Sequence, residues 1–210
     1  WQLEAIDLRQ FGLTKHRNVD DTPAGGGAGM VLRPDVLGNA IEHAMADTTT
    51  APQGGNWPLI YLSPRGRRMD QAMMQSLARC DGMTLLCGRF EGVDERVLDH
   101  YNIQEVSLGD FVMTGGELAA QALIDGTVRL IPGVLGNQAS TEEESFSSGL
   151  LEHPQYTRPA EWKGRKIPDV LMSGHHGKIA RWRQEMSEEI TRARRPDLWE
   201  AYQRKRGGDS

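Results

Sequence analysis

Three segments of the chain share one order: an apolar run, a loop that contains glycine, and a pattern typical of a helix. The apolar runs are WPLIYLSP (57–64), MTLLC (83–87) and IQEVS (103–107). Continuous apolar strands that alternate with helices indicate a parallel sheet covered on both faces. Ligands of such sheets bind beyond the carboxyl ends of the strands, where all three glycine-containing loops are expected. The sequence therefore predicts an α/β protein with a ligand site built from these loops.

The remaining segments before residue 136 are assigned from the same signals. Arg65, Gly66, Arg67 and Arg68 are expected to form the first loop, and the helix after it is expected to end near Gly82. Upstream, LEAIDLRQF (3–11) indicates another strand and VLGNAIEHAMA (36–46) another helix. Between them, NVDDTPAGGGAGM (18–30) is too rich in glycine for either, so it is predicted to be a mobile surface loop.

Charge divides the chain into two parts. Residues 1–145 hold 11 Lys and Arg against 20 Asp and Glu, whereas residues 146–210 hold 13 against 9. A basic arm on an acidic body is a candidate footprint for nucleic acid, although a solvated helical tail would show the same charge. Residues 136–149 are polar and acidic, as in a linker, and helical patterns follow at 176–195 and 196–206.

Several classes of protein are disfavoured by what the sequence lacks. No apolar run approaches the ~18 residues of a membrane span, and no charged-then-apolar leader marks secretion, so a cytoplasmic protein is expected. The two cysteines, Cys80 and Cys87, lack the spacing of a zinc site and are expected to be buried core thiols. No G-x-G-x-x-G motif follows a strand, and GHHGK (174–178) is not a phosphate-binding P-loop. A Rossmann cofactor site is therefore not expected.

The order and spelling of the glycine loops resemble a known family. YLSP (61–64), CGRFEGVDER (87–96), SLGDFVMTGGELA (107–119) and IPGVLGN (131–137) are similar to segments of the bacterial tRNA (guanine-N1)-methyltransferases of the TrmD family, in the SPOUT superfamily. The likeness continues through VDDTPAGGGAGM (19–30), SFSSGLLEHPQYTRP (145–159) and VLMSGHHGKIARWR (170–183). It covers nearly the whole chain. The family has a further strand and part of a helix ahead of the position of Trp1, which this sequence is expected to lack.

The resemblance implies a fold and an activity. The fold would be a SPOUT-type parallel sheet with a deep trefoil knot on its C-terminal side, plus a small all-α C-terminal domain. The implied domains are a cofactor-binding domain at 1–136, a flexible linker at 137–147 and a helical tRNA-binding domain at 148–210. The activity would be methyl transfer from S-adenosylmethionine to N1 of the guanosine immediately 3′ of the tRNA anticodon (position 37), which supports reading-frame maintenance. The enzyme would be a homodimer whose active site is shared between subunits.

The resemblance also assigns contacts with S-adenosylmethionine to the three loops. Gly115 and Gly116 would be the place where the backbone passes tightly around the cofactor and enters the next helix, so a Cβ there should collide. The implied cofactor contacts are Tyr61, Leu62, Ser63, Pro64, Gly88, Phe90, Glu91, Gly92, Ser107, Leu108, Gly109, Phe111, Met113, Gly115 and Gly116.

Methylation of guanine N1 requires a base for the ring proton and a partner for the negative charge that gathers on O6. The resemblance gives the second part to Arg129. The family has an aspartate as the base, and this chain has Glu144 at that position, preceded by Glu142 and Glu143. Glu144 is the favoured base, with its two neighbours as alternatives and solvated linker charges as the other interpretation. Mg²⁺ is associated with the family's catalysis, but no ligand cluster in the sequence identifies a site.

The C-terminal segment supplies candidate RNA contacts. His175 and His176 are either structural or in contact with RNA, whereas Trp162 and Trp182 are expected to be core residues rather than stacking platforms. Alternative functions remain: another SPOUT RNA methyltransferase, or a non-catalytic RNA-binding relative. The cations that could contact phosphate are Arg181, Arg183, Arg192, Arg194, Arg195, Arg204, Lys205 and Arg206.

Overall fold

The chain forms two compact units, Trp1–Leu135 and Gly136–Ser210. We describe them from a computed structural model, which covers residues 1–13, 15–46, 56–135 and 144–208. The first unit contains a parallel sheet with helices on both faces, and the second contains helices and one short hairpin. Most of the expected linker at 137–147 lies outside the described residues, so its flexibility stays a prediction.

A three-stranded parallel sheet forms the centre of the first unit. Its strands are β3 (Leu59–Arg68), β4 (Thr84–Cys87) and β5 (Gln104–Ser107), in the order β4-β3-β5. Tyr61 is in register with Leu86 on one side and with Glu105 on the other. The apolar runs predicted as parallel strands are thus confirmed, and the longest of them is the central strand.

Helices cover both faces of this sheet. Helices α1 (Pro34–Ala46) and α3 (Glu95–His100) pack on the face that bears Tyr61, whereas α2 (Gln71–Leu77) and α4 (Glu117–Val128) pack on the face that bears Ile60 and Leu62. Successive side chains of a strand point to opposite faces, so one apolar strand supplies both cores. The predicted coverage of both faces is confirmed. The cores are completed by Leu37, Ile41, Leu86, Val97 and Leu98 on the first face and by Leu77, Val106, Ala119, Ala120 and Leu123 on the second.

Residues 65–68 belong to β3, so their assignment to a loop was wrong. The pairing with β5 shifts between Leu62 and Arg67, where Arg67 comes into register with Val106. At this irregularity Gly66 lies directly against the backbone of Glu105 and Val106, leaving no room for a Cβ. The glycine signal was read as a turn, but here it permits close approach of two strands.

The N-terminal assignments were partly wrong. Instead of a strand at 3–11, the chain forms a 3₁₀ helix at Leu8–Phe11, because the Asp7 carboxylate accepts a hydrogen bond from the backbone N–H of Arg9 and so caps a short helical turn. The predicted helix at 36–46 is confirmed within α1. The segment 18–30, predicted to be a loop throughout, contains the short strand β1 (Asp20–Asp21), which pairs with β2 (Val31–Leu32), so that part of the prediction was wrong.

The second unit is built mainly from helices. Helices α5 (Asp169–Met172), α6 (His176–Arg194) and α7 (Pro196–Gly208) confirm the two long helical predictions. The expectation of an all-α domain was wrong, because β6 (Glu161–Trp162) and β7 (Arg165–Lys166) form an antiparallel hairpin. Both turn residues between these strands have positive φ, as tight hairpins require.

Both cysteines are free and half-buried, not fully buried as expected. Cys80 and Cys87 pack at the edge of the core that contains Leu123. Burial raises the pKa of both thiols, so neither is an activated thiolate at neutral pH.

The start of α4 lies against the end of β4. The Gly116 backbone N–H donates to the Gly88 carbonyl oxygen at 3.0 Å, and Gly115 forms an isolated antiparallel bridge with Arg89. A Cβ on Gly116 would lie 2.9 Å from the Cα of Cys87, where only backbone could move to relieve the overlap. The two segments can meet at this distance only because residue 116 is glycine.

Gly116→Ala is therefore expected to lower the free energy of unfolding by about 1–3 kcal/mol, the usual cost of overpacking. Gly126→Ala, in the same helix, is the matched control: its Cβ would meet the flexible Met74 side chain at 3.2 Å, and alanine favours the helix. Urea unfolding of both variants measures the difference. Equal stability of the two variants would contradict the close approach at Gly116.

Candidate functional site

A cavity of about 260 Å³ lies against the middle of β3 and beyond the carboxyl ends of β4 and β5. Its walls are residues 61–65, 88–93, 106–109 and 111–116, together with Ala119. All fifteen residues that the resemblance assigned to the cofactor lie on these walls. The volume is near the lower end of the ~300–1,000 Å³ typical of small-molecule sites. The fold thus brings three segments that are separate in sequence together around one cavity.

The first wall is the middle of β3. Tyr61 and Ser63 are buried, and the Ser63 hydroxyl accepts a hydrogen bond from the Arg65 backbone N–H at 3.2 Å. Burial raises the pKa of the Tyr61 phenol, so this ring stays neutral. The wall therefore offers a neutral aromatic ring and a buried hydroxyl.

The second wall is fixed by backbone hydrogen bonds to the segment before α1. The Glu91 N–H donates to the Met30 carbonyl at 2.9 Å, and the Leu32 N–H donates to the Gly92 carbonyl at 2.9 Å. Around Glu91 the chain turns sharply, because φ is 59° at Phe90 and 123° at Gly92. A bulky residue with positive φ is uncommon and persists only where neighbouring contacts hold it. The loop is thus held in a single shape.

The third wall folds around a buried serine. The Ser107 hydroxyl donates to the Gly109 carbonyl at 2.9 Å and accepts from the Gly109 N–H at 3.2 Å. The Phe111 N–H then donates back to the Gly109 carbonyl at 2.9 Å. This tight turn leaves Phe111 and Val112 largely exposed. The wall continues through Gly115 into α4.

Two arginines on the walls were missed by sequence reasoning. Arg65 pairs with Glu95 at 2.9 Å and with Glu105 at 3.0 Å, and Arg89 pairs with Glu117 at 2.8 Å. The backbone N–H of Glu117 itself lowers the pKa of the Glu117 carboxyl, and Arg89 lowers it further. Both arginines adjoin predicted residues in the quoted loops, and that adjacency was the available signal. The other wall residues that were missed are Val93, Val106, Val112, Thr114 and Ala119.

The composition of the cavity suits a molecule with both apolar and polar parts. Leu62, Leu108 and Met113 supply apolar surface, Ser63 and Ser107 supply hydroxyls, and Glu91 supplies a carboxylate. The glycines leave backbone groups accessible, so N–H and C=O groups can read a heterocycle edge. A cation would find a partner at Glu91.

Neither expected catalytic residue lies on the cavity walls. Arg129 is the half-buried residue that ends α4, and its N–H donates to the Asp125 carbonyl at 3.2 Å. Glu144 opens a turn in the second unit, where its carbonyl accepts from the Ser147 N–H at 3.2 Å. The two residues belong to different units. Glu142 and Glu143, the alternative bases, lie outside the described residues.

The two tryptophans of the second unit differ. Trp182 is half-buried in α6, with its ring centroid 6.5 Å from that of His153 and 6.2 Å from that of Tyr156. Trp162 is 60% exposed on the hairpin, so its assignment to the core was wrong. A two-residue strand cannot bury a side chain that large without a partner element.

The expected RNA contacts of the second unit lie mainly on its two long helices. His175 precedes α6 and His176 begins it, and both are exposed. The expected phosphate contacts on α6 and α7 are Arg181, Arg183, Arg192, Arg194, Arg204, Lys205 and Arg206, and Arg195 lies between the two helices. Among these cations, Arg195 pairs with Asp197 at 2.6 Å and Arg206 with Glu188 at 3.4 Å.

The described ranges contain neither a metal-binding cluster nor a membrane-spanning helix. Among residues 1–13, 15–46, 56–135 and 144–208, no group of three or more His, Cys, Asp or Glu side chains is placed to hold a metal ion. Within the same ranges, no helix has the length and apolar character to span a membrane.

Comparison with known proteins gives one consistent result. Residues 1–201 match the family model described as tRNA (Guanine-1)-methyltransferase TrmD. Proteins named tRNA (guanine-N(1)-)-methyltransferase from Ruegeria sp. (strain TM1040) and Ruegeria pomeroyi are 85% and 81% identical over 203 residues, which is 97% of this chain and 81% and 82% of theirs. A protein of the same name from Cereibacter sphaeroides is 65% identical over 209 residues, with 83% of its length covered. The chain belongs to the tRNA (guanine-1)-methyltransferase TrmD family.

Proposed function

We propose that this chain transfers a methyl group from S-adenosylmethionine to N1 of a guanosine in tRNA, at the position immediately 3′ of the anticodon. Membership of the family makes it a tRNA (guanine-N1)-methyltransferase. The observation that carries the proposal is that fifteen residues, from β3 and from the segments that follow β4 and end β5, line one cavity in a member of that family. A modification at that position would support maintenance of the reading frame, and the enzyme would act in the cytoplasm.

The cavity would hold the methyl donor. Backbone groups of the three loops would read the adenine edge, and the hydroxyls of Ser63 or Ser107 and the carboxylate of Glu91 would meet polar groups. S-adenosylmethionine supplies an electrophilic methyl on a sulfonium, and its positive charge favours a site with a carboxylate on its wall. The contact of Gly115 and Gly116 with residues 87–89 supports a knotted arrangement of these loops, as in SPOUT enzymes.

The proton of guanine N1 would pass to a carboxylate, for which we propose Glu144. Arg129 would stabilise the negative charge that gathers on O6 as that proton leaves. Glu144 would reach the cavity in a homodimer, with the second unit of one subunit completing the site of the other. The exposed apolar side chains of Phe90, Phe111, Val112 and Leu118 support such a contact, because they surround the loops and would otherwise face water.

The remaining parts of the proposal concern partners and domains. Residues 1–136 would bind the donor, 137–147 would be a flexible linker, and 148–210 would bind tRNA through its excess of Lys and Arg. Mg²⁺ would assist the reaction, because Mg²⁺ is associated with catalysis in the family. The alternatives are methylation of a different RNA by a SPOUT enzyme and RNA binding without catalysis.

One experiment separates these functions. Purified protein is incubated with S-adenosylmethionine and unmodified tRNA, with and without Mg²⁺, and the nucleosides are analysed. We expect 1-methylguanosine at the position 3′ of the anticodon. A different methylated nucleoside would indicate another RNA methyltransferase, and bound but unmodified tRNA would indicate a non-catalytic protein.

Gly115→Leu is expected to weaken S-adenosylmethionine binding by at least ~10-fold while the fold is kept. The added Cβ would meet the Arg89 and Glu117 side chains, which can move, so the bulk would be directed into the cavity rather than against backbone. Calorimetric titration measures the affinity, and circular dichroism checks the fold. Gly177→Leu, at an exposed helical position with open space around its Cβ, is the control. Unchanged binding by Gly115→Leu would remove the cavity from the proposed site.

Glu144→Gln is expected to keep donor binding and to lose methyl transfer by at least ~10²-fold, the usual contribution of a positioned base. Glu189→Gln, an exposed glutamate of α6, is the control for loss of one negative charge in the same unit. Single-turnover rates with saturating donor and tRNA provide the measurement. If Glu144→Gln stays active while Glu142→Gln or Glu143→Gln is inactive, the base is one of those neighbours.

The shared site predicts rescue between two inactive full-length chains. A heterodimer of Gly115→Leu with Glu144→Gln would contain one composite site in which both the cavity and the glutamate are intact. At a donor concentration that saturates the wild type but not Gly115→Leu, we expect co-purified heterodimers to recover up to about half of the wild-type rate, well above either homodimer. Heterodimers of verified mass with no activity above the parents would show that each subunit completes its own site.

A further inference from the structure

The hairpin at 161–166 presents an exposed tryptophan on a tightly folded turn. Trp162 is 60% exposed, and the Lys163 ammonium lies 4.8 Å from the centre of its ring. The two turn residues, Lys163 and Gly164, have φ of 50° and 75°, so the turn is of the type that matches the twist of paired strands. The Ile167 N–H donates to the Ala160 carbonyl at 3.0 Å and closes the base of the hairpin. The indole is therefore held on a short ordered element rather than on a loose loop.

The two faces of the hairpin differ in charge. Trp162 is in register with Arg165, and Glu161 is in register with Lys166. Cross-strand partners share a face, so Trp162 and Arg165 lie together and Glu161 lies on the opposite face with Lys166, 4.0 Å away. Among these six residues, the tryptophan face thus carries cations and no carboxylate.

We propose that this face binds the RNA substrate, with the Trp162 ring stacked on an unpaired base and with Lys163 and Arg165 in contact with the neighbouring phosphates. The inference rests on the proposed function and names one of its RNA contacts. An aromatic ring flanked by cations is the combination that single-stranded nucleic acid recognises, because the ring stacks on a base of any sequence and the cations neutralise the backbone. The cation over one side of the ring leaves the other side for the base.

The test uses the full-length protein and unmodified tRNA. Trp162→Ala is expected to weaken tRNA binding, measured by fluorescence anisotropy with labelled tRNA, by about 10-fold or more, the scale of lost base stacking. Trp162→Phe keeps an aromatic ring and should retain most of the affinity. Lys163→Gln and Arg165→Gln should each lower the slope of log affinity against log salt, whereas Lys15→Gln, an exposed lysine of the first unit, should leave it unchanged.

The failure of this proposal can be told apart from failure of the proposed function. S-adenosylmethionine affinity reports the first unit and should be the same in the wild type and in all five variants. If the wild type methylates tRNA and Trp162→Ala binds tRNA within twofold of it, the hairpin contact is overturned. If the wild type binds tRNA but forms no 1-methylguanosine, the proposed function fails, and the loss of affinity in Trp162→Ala still supports the hairpin contact.

Discussion

The close approach of Gly116 to the backbone of Cys87 and Gly88 is the constraint on which the cavity depends. It brings the loop after β5 against the loop after β4, so two walls that are distant in sequence share hydrogen bonds. Any side chain at 116 would separate them, because the neighbouring atoms belong to the backbone and cannot rotate away. The same contact sets where α4 begins, and α4 supplies Leu123 to the core. Cavity shape and core packing therefore rest on one residue without a side chain.

Short-range hydrogen bonds and ion pairs then fix the walls. The buried hydroxyls of Ser63 and Ser107 bond to backbone groups two residues away, which folds each loop without an external partner. Arg65 and Arg89 are engaged by carboxylates across neighbouring elements, so the walls are tied to α3, β5 and α4. These exposed pairs add little to stability, but they orient the chain around the cavity. A preorganised site loses less conformational entropy when it binds a small molecule.

Sequence reasoning reached the sheet and the cavity because apolar strands and glycine loops are local signals that repeat in a fixed order. It failed at positions where the sequence pattern does not show the contact that determines the local structure. Gly66 resembles a turn residue in the sequence, but it permits the close approach of β3 and β5. Asp7 caps a 3₁₀ turn inside a segment that was predicted to be a strand. Trp162 was assigned to the core, but it is exposed. A strand of only two residues has no periodicity that would show which way the tryptophan side chain faces. Arg65 and Arg89 adjoin predicted residues, but their ion pairs join segments that are distant in sequence, so the sequence alone does not show their role in the walls.

The two parts of the chain differ in net charge, in line with the two tasks of tRNA methylation, which are to bind the donor and to bind the RNA. Residues 1–145 contain the cavity and hold nine more acidic than basic residues, so they would repel a polyanion at long range. Residues 146–210 hold four more basic than acidic residues, and the tryptophan face of the hairpin lies among them. Attraction of RNA would therefore depend on the second unit, whereas the cavity wall of the first unit carries the carboxylate of Glu91. An enzyme arranged in this way can lose affinity for RNA without changing how its donor is held.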